Sequence, residues 1–376
     1  MNHLLGNIKL EGDRTIWGVV FFLSLFSLLV VYSTAGWSFL FSHFIKLSIG
    51  VICMYIVHRI KFKYFSKLGQ LAYFLSLGLL TLVLIIGVSI NGASRWLSIA
   101  GLQFQPSDIA KLAILLFLAR QLSKQRDYLH DFKDFCWYVV GPLLLICALI
   151  LPNNFSTSAL VFINGLVIMF IARIKLKFIA IIIFLSMLGA LSIYFTSKYT
   201  SFGSNIMPRS ATWVSRIDSF FDDDIDDIQD KAFQQTQALV AIQNGAITGV
   251  GPGKSIQRSI LPYSSSDFIY AIIIEEYGII GGVAIILAYI ILLFRAIMIS
   301  FKVESMFGSL VTVSVIFSLV FQAIVNMLVS VEILPVTGQT LPLISMGGTS
   351  IVFTCVSIGI VLSISRDSKD REYEKA

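Results

Sequence analysis

The chain has 376 residues, of which 56% are hydrophobic and only 13% charged. That balance excludes an ordinary soluble domain. The net charge of +6 is spread over short loops rather than gathered in one patch, so it is no nucleic-acid footprint and no nucleic-acid partner is expected.

Apolar runs of helix-span length recur along the whole chain. A span needs about 20 apolar residues, and runs this continuous predict helices rather than a barrel. They predict about ten spans, near 16–33, 44–57, 71–88, 109–122, 137–151, 157–172, 178–194, 268–293, 307–329 and 351–364. The expectation is an all-α integral membrane protein, one polytopic domain over 1–376. It has a large extracytoplasmic loop, 195–266, before the eighth span and a tail at 366–376. No small-residue cleavage site follows the first run, which reads as a retained span.

Basic residues follow alternate spans: Arg59, Lys61, Lys63 and Lys67 after the second, and Arg120, Lys124, Arg126 and Lys133 after the fourth. Arg173, Lys175 and Lys177 follow the sixth, Arg295 and Lys302 the eighth, and Arg366, Lys369 and Arg371 the tenth. The positive-inside rule then places both termini in the cytoplasm. Seven of the eight prolines fall in the outer loops, and Pro142 inside a span predicts a kink. The four cysteines, Cys53, Cys136, Cys147 and Cys355, lie in or beside apolar runs. They read as small buried apolar residues, not a disulfide or metal set.

Four clusters carry candidate chemistry. The first precedes the fourth span: Asn91-Gly92-Ala93-Ser94-Arg95-Trp96-Leu97, then Gln105-Pro106-Ser107-Asp108 and Lys111. Ser107 or Asp108 suits a helix N-cap, Trp96 suits an interfacial anchor, and Asp108 and Lys111 share a helix face. A ligand site is the competing reading. The second cluster is Arg209, Arg216, Lys254 and Arg258, outer-face cations suited to phosphate or to lipid head groups.

The third cluster is Asp267 with Glu275 and Glu276. Along one straight helix Glu275 would lie about 12 Å deeper than Asp267, and buried carboxylates there would need a polar cavity or a cation. Proton relay and structural pairing both remain open. Asp267 itself suits an N-cap, which would lower its pKa; burial would raise it. The fourth cluster is Asn326 with the Pro- and Gly-punctuated stretch Leu334-Pro335-Val336-Thr337-Gly338-Gln339-Thr340-Leu341-Pro342-Leu343-Ile344-Ser345-Met346-Gly347-Gly348. Such backbone predicts either a re-entrant loop around a ligand or a tight structural turn.

Two further stretches are weaker. The run from Asp222 to Asp230 is acidic and reads as a solvated face, with a divalent cation as the sharper alternative. Gly249-Val250-Gly251-Pro252-Gly253-Lys254-Ser255 looks like a phosphate-binding P-loop, but Thr248 stands where that motif needs glycine.

Taken together, the motifs Asn-Gly-Ala-Ser-Arg-Trp-Leu (91–97), Gln-Pro-Ser-Asp-x-x-Lys (105–111), Gly-x-Gly-x-Ser-x-Gln-Arg (251–258), Ser-Asp-Phe-Ile-Tyr (266–270) and Leu-Pro-Val-Thr-Gly-x-x-Leu-Pro-x-x-Ser-x-Gly-Gly (334–348) resemble the SEDS family of cell-wall proteins, FtsW more than RodA or SpoVE. The resemblance covers nearly all of the chain. It implies a peptidoglycan glycosyltransferase that acts on lipid II, a disaccharide-pentapeptide on undecaprenyl pyrophosphate, outside the cytoplasmic membrane. A class B penicillin-binding protein and other division proteins are the implied partners. The family's catalytic Asp falls on Asp267, and its substrate-binding positions on Arg95, Trp96, Gln105, Asp108, Lys111, Gln257, Arg258, Ser345, Gly347 and Gly348. Arg209 and Arg216 join this set as phosphate-binding candidates.

Departures are Asp108 for the usual Glu, Arg258 for Lys and Met346 for Tyr. Pro152-Asn153-Asn154 stands where the family often has Pro-Asp-x, so no role for that Asp carries over. A lipid flippase, with Glu275 and Glu276 coupling protons, an elongation role, and a non-catalytic scaffold for division partners are the competing expectations.

Overall fold

The computed structural model describes residues 10–90, 93–99, 102–126, 128–199, 209–221, 229–262 and 264–375. Among the described residues, seven helices are long and apolar enough to cross a membrane. The first, Arg14–Arg59, is two helices: Gly36 breaks it at φ 80°, ψ −176°, a conformation that suits only glycine. The halves, α1 (14–35) and α2 (37–59), fold back on each other. Trp17 and His58 meet ring to ring at 5.4 Å, whereas one continuous helix would hold them about 60 Å apart.

Then follow α3 (Phe65–Ile86), α4 (Pro106–Lys124), α5 (Phe132–Ile150), α6 (Phe155–Ile171) and α7 (Leu176–Tyr199). α4 and α6 fall below the apolar-span criteria, α6 because it is short and α4 because it is charged. With α11, α12 and α13 below, every predicted span has its helix. The predicted kink in α5 takes the form of a π-helical stretch, Cys136–Val140, just before Gly141 and Pro142.

The short loop before α4 is not irregular. It is a meander of β1 (Val88–Ile90), β2 (Ala93–Ile99) and β3 (Leu102–Phe104), antiparallel in the order β1-β2-β3, with Val88 opposite Trp96 and Leu97 opposite Phe104. The long loop is largely helical: α8 (Ser210–Phe221), α9 (Gln229–Gly245) and the single turn Gln257–Ile260. Residues 222–228 of the acidic run lie outside the described residues.

The apolar run 268–293 reads as one descending span, but the helix Ile269–Lys302 that holds it is broken. Gly278, at φ 69° and ψ −175°, splits it into α10 (269–277) and α11 (279–302). Ile274 Cγ1 lies 3.0 Å from where a Cβ on Gly282 would stand. A straight helix would separate those residues by about 12 Å, so α10 doubles back along α11. The break is locked by the 245–251 segment: Val250 N donates to Glu275 O at 2.9 Å, Gly251 N to Glu276 O at 3.0 Å, and Ile279 N to Ala246 O at 3.0 Å. Backbone lies on backbone here, and a Cβ on Gly249 or Gly278 would overlap the facing chain.

α12 (Met306–Ser330) and α13 (Ser350–Lys375) complete the bundle. α13 packs mainly on α1 and α2, α3 on α4, and α11 on α12. Asp13 caps α1 through Thr15 N and Ile16 N and pairs with Arg295. Arg366 donates to the His58 carbonyl. The start of α1 and the middle of α13 therefore share one end of the bundle, here the lower end.

Candidate functional site

The upper half of the bundle holds a cavity of about 440 Å³ between the sheet, α4, α6, α8, α12 and the 331–349 segment. Asp267 lines it, as do Arg95, Trp96, Gln105, Asp108, Lys111, Arg209, Arg216, Gly347 and Gly348. The fold thus brings ten sequence-predicted site residues to one space.

Asp267 is placed from three sides. Phe268, wholly buried, packs in an apolar cluster with Ala238 and Ala241 of α9, Leu261, Ile272 and Val329. Met346 N donates to Ser265 O at 2.8 Å, and Ser345 Oγ to Ser266 O at 2.6 Å. Asn326 Nδ2 donates to Asp267 O at 2.7 Å. The helix-cap reading does not hold: Phe268 is the N-cap of α10, and no side chain caps it. Burial pushes the Asp267 carboxyl above its ordinary value, partly offset by Ser266 and by the charges of Arg216 and Arg95.

Two of the cations share one acceptor. Arg95 Nε and Arg209 Nη1 both donate to the Asn153 carbonyl at 3.0 Å, and Arg216 Nη1 donates to Val336 O at 2.9 Å. Burial and the repulsion of Arg209 and Arg216 push Arg95 down to about 10, against the pull of Asp267. Three guanidiniums facing one carboxylate leave excess positive charge in a buried space, the electrostatics of an anion site. The Asn153-Asn154 pair that replaces the family carboxylate has two tasks here. The Asn153 carbonyl gathers arginines, and the Asn154 side chain caps α6 through Thr157 N at 3.1 Å.

Pro106 opens α4 with Gln105 as N-cap and no side-chain cap, so neither Ser107 nor Asp108 caps it. Asp108 instead pairs with Lys111 at 2.9 Å, as their spacing predicted, and Lys111 also reaches Gln322 Oε1 at 3.4 Å. A polar crevice continues below between α4, α12 and α13, past Ser318 and Thr354.

Three predicted positions lie elsewhere. Gln257 is buried, and its backbone N–H donates to Glu275 Oε1 at 3.4 Å. Arg258 Nη1 donates to Ser33 O at 2.7 Å. Ser345 is buried behind Asp267, where its Oγ also accepts Leu341 N at 2.7 Å. The anion-binding reading of Lys254 fares likewise: it is exposed, outside the cavity lining.

The depth order of the carboxylates is also reversed. Glu276 accepts from Ser33 Oγ near the top of α1, while Ile344, beside the Asp267 loop, accepts from Ser27 Oγ about 9 Å lower. Because α10 doubles back, Asp267 is nearer the middle of the bundle and the glutamates nearer the top. Glu275 accepts from Ser255 Oγ, Ile256 N and Gln257 N, and Glu276 also from Gly253 N at 3.1 Å. Both hold the glycine-rich loop. Among the described residues no three His, Cys, Asp or Glu side chains gather to hold a metal ion.

Val336, Thr337, Gly338, Gln339 and Thr340 line the cavity as the re-entrant reading of that stretch expects, whereas Asn154, Thr157, Gln234 and Gln322 carry no such expectation from the sequence. Gln322 and Thr157 sit inside apolar runs, where polarity alone was their only signal.

The family model for FtsW, RodA and SpoVE, described as cell cycle protein, matches residues 12–370. The chain belongs to that family. It is 31% identical over 329 residues to a probable peptidoglycan glycosyltransferase FtsW of Nitrosococcus halophilus, covering 86% of this chain and 81% of the relative. It is 29% identical over 375 residues to stage V sporulation protein E of Bacillus subtilis, covering 96% and 99%. Its fold is similar to a chain of a peptidoglycan synthase complex that coordinates polymerization and crosslinking, with a TM-score of 0.76 and 25% identity over 95% of this chain and 98% of that one. The rod shape determining protein RodA of Thermus thermophilus shares the fold at a TM-score of 0.68 and 23% identity, over 95% and 97% of the two chains. Like other members of the FtsW, RodA and SpoVE family, the chain is a multi-pass membrane protein.

Proposed function

We infer that the chain is a peptidoglycan glycosyltransferase. It polymerises lipid II into glycan strands at the outer face of the cytoplasmic membrane during cell division. The carrying observation is the half-buried Asp267 carboxylate, in one cavity with Arg95, Arg209 and Arg216. FtsW names among the relatives favour division over elongation.

In this reading the sugar 4-hydroxyl of one lipid II is the nucleophile. Asp267 takes its proton as general base, an effect usually worth about 10²–10⁴ in rate. The freed oxygen forms a bond to C1 of the growing strand. The bond from C1 to the undecaprenyl pyrophosphate oxygen breaks, and its electron pair leaves with the pyrophosphate. Arg95, Arg209, Arg216 and Lys111 face the charge that develops. A base pKa raised above that of a free carboxylate suits proton abstraction near neutral pH.

The membrane orientation follows the basic loops, with both termini cytoplasmic and the cavity opening outward. A class B penicillin-binding protein is the partner that cross-links the product, a reading supported by the likeness to a synthase complex. Against the translocation reading stand the bonds of Glu275 and Glu276 to the glycine-rich loop, a structural role for both. The test is in vitro polymerisation of lipid II by the purified protein with its transpeptidase. Wild type should make polymer and Asp267→Asn none; polymer from Asp267→Asn removes the carboxylate from the mechanism.

A further inference from the structure

The backbone that carries Asp267 is held carbonyl by carbonyl. Ser265 O accepts from Met346 N, Ser266 O from Ser345 Oγ, and Asp267 O from Asn326 Nδ2. The last of these bonds comes from a neighbouring helix. Asn326 lies on α12, 59 residues from Asp267 in sequence, and is almost wholly buried at 1% exposure. Its Nδ2 also donates to Gln339 O at 2.7 Å. Both partners are carbonyl oxygens, so the amide orientation is fixed: the nitrogen must face them, because an oxygen there would meet two acceptors. Both amide hydrogens are used, one on the Asp267 loop and one on the segment that lines the cavity opposite.

We propose that Asn326 is a positioning residue for Asp267, clamping the loop of the base to the 331–349 segment. It does not line the cavity and does not touch substrate. Its chemistry is to keep the Asp267 carbonyl turned away from the cavity, so that the side chain of the same residue is turned in. Only a side chain with two donors on one nitrogen can bridge the two carbonyls at this spacing. Leucine has none, and aspartate would set a carboxylate against both. Ser345 performs the same task one residue earlier, and so belongs to the clamp rather than to the substrate contacts.

The inference rests on the glycosyltransferase reading, and its test keeps the two apart. Wild type, Asp267→Asn, Asn326→Leu and Ser345→Ala are purified with the transpeptidase, their melting temperatures recorded, and lipid II polymerisation followed against substrate concentration and pH. Asn326→Leu should lower kcat about 10- to 100-fold, the scale of a misplaced reacting group, with KM changed by less than about two-fold. The acid limb of its pH–rate profile should move to lower pH, because a loosened carboxylate gains water. A folded Asn326→Leu with wild-type kcat overturns the proposal, as does one in which KM alone rises. Should Asn326→Leu fail to fold, Ser345→Ala must show the same fall in kcat at constant KM, and wild-type kcat there overturns the clamp. Absence of polymer from wild type overturns the glycosyltransferase reading beneath it.

Discussion

Gly338 presents its bare Cα to the carboxylate of Asp267: a Cβ there would stand 3.6 Å from Asp267 Oδ2. The same glycine is at φ +67°, in the left-handed region that costs other residues about 1–2 kcal/mol. Gly338→Ala should therefore destabilise the protein by about that amount and lower polymerisation by covering one carboxylate oxygen of the base with a methyl group at contact distance. Melting temperature and rate, measured on one preparation, check both.

The pH dependence follows from the raised Asp267 carboxyl. Its acid limb should lie above the ordinary carboxylate range. Arg216 is one of the charges that pull this pKa down, so Arg216→Gln should move the limb to higher pH. For stability the sign is opposite. A carboxylate harder to ionise in the folded state holds more protons there than in the unfolded chain. Its contribution therefore falls as pH rises from the unfolded pKa to the raised folded one. Asp267→Asn should flatten the melting temperature across that window.

Asp108 and Lys111 form a buried pair. Lys111→Met leaves a buried carboxylate without its cation and should cost about 3–5 kcal/mol. Asp108→Asn with Lys111→Met should cost less than Lys111→Met alone. A chemical melt of wild type and the two variants decides it; equal losses would mean that the pair carries no such coupling.

Glu275→Gln keeps an acceptor for Ile256 and Gln257 but no longer holds Ser255 as a carboxylate does. The expected outcome is a lower melting temperature with polymerisation retained. Loss of polymerisation without loss of stability would restore a proton-coupling role.

Hydropathy made the helical bundle legible, because lipid leaves the backbone few options. It was silent on one reversal. Gly36 falls between the first two predicted spans, where the chain is expected to turn, but Gly278 lies inside an apolar run, yet reverses the chain and inverts the depths of Asp267 and Glu275. The sheet before α4 has a local signal: Asn91-Gly92 between short β-prone runs is a hairpin marker. Asp267, Arg95 and Lys111 were legible through motifs. Asn326 drew notice only as a polar residue beside a broken stretch, because its partners lie 59 and 13 residues away. Gln257 and Arg258 lay close to Asp267 in sequence, but the reversal at Gly278 puts them with Ser33 and Glu275 instead.

The interlock of Gly249 with Gly278 divides the long loop mechanically. From Gly245 to Gly251 the chain is riveted to the turn between α10 and α11, backbone against backbone, and cannot swing without prying those helices apart. The earlier part, Arg209 and α8, is fastened by side chains instead: Arg209 and Arg216 on two carbonyls, Asp218 on Tyr194 and Lys198 of α7, and Trp213 against Phe155. One half of the loop is thus an anvil of backbone on backbone, and the other half is held only through groups that a rotamer change can release.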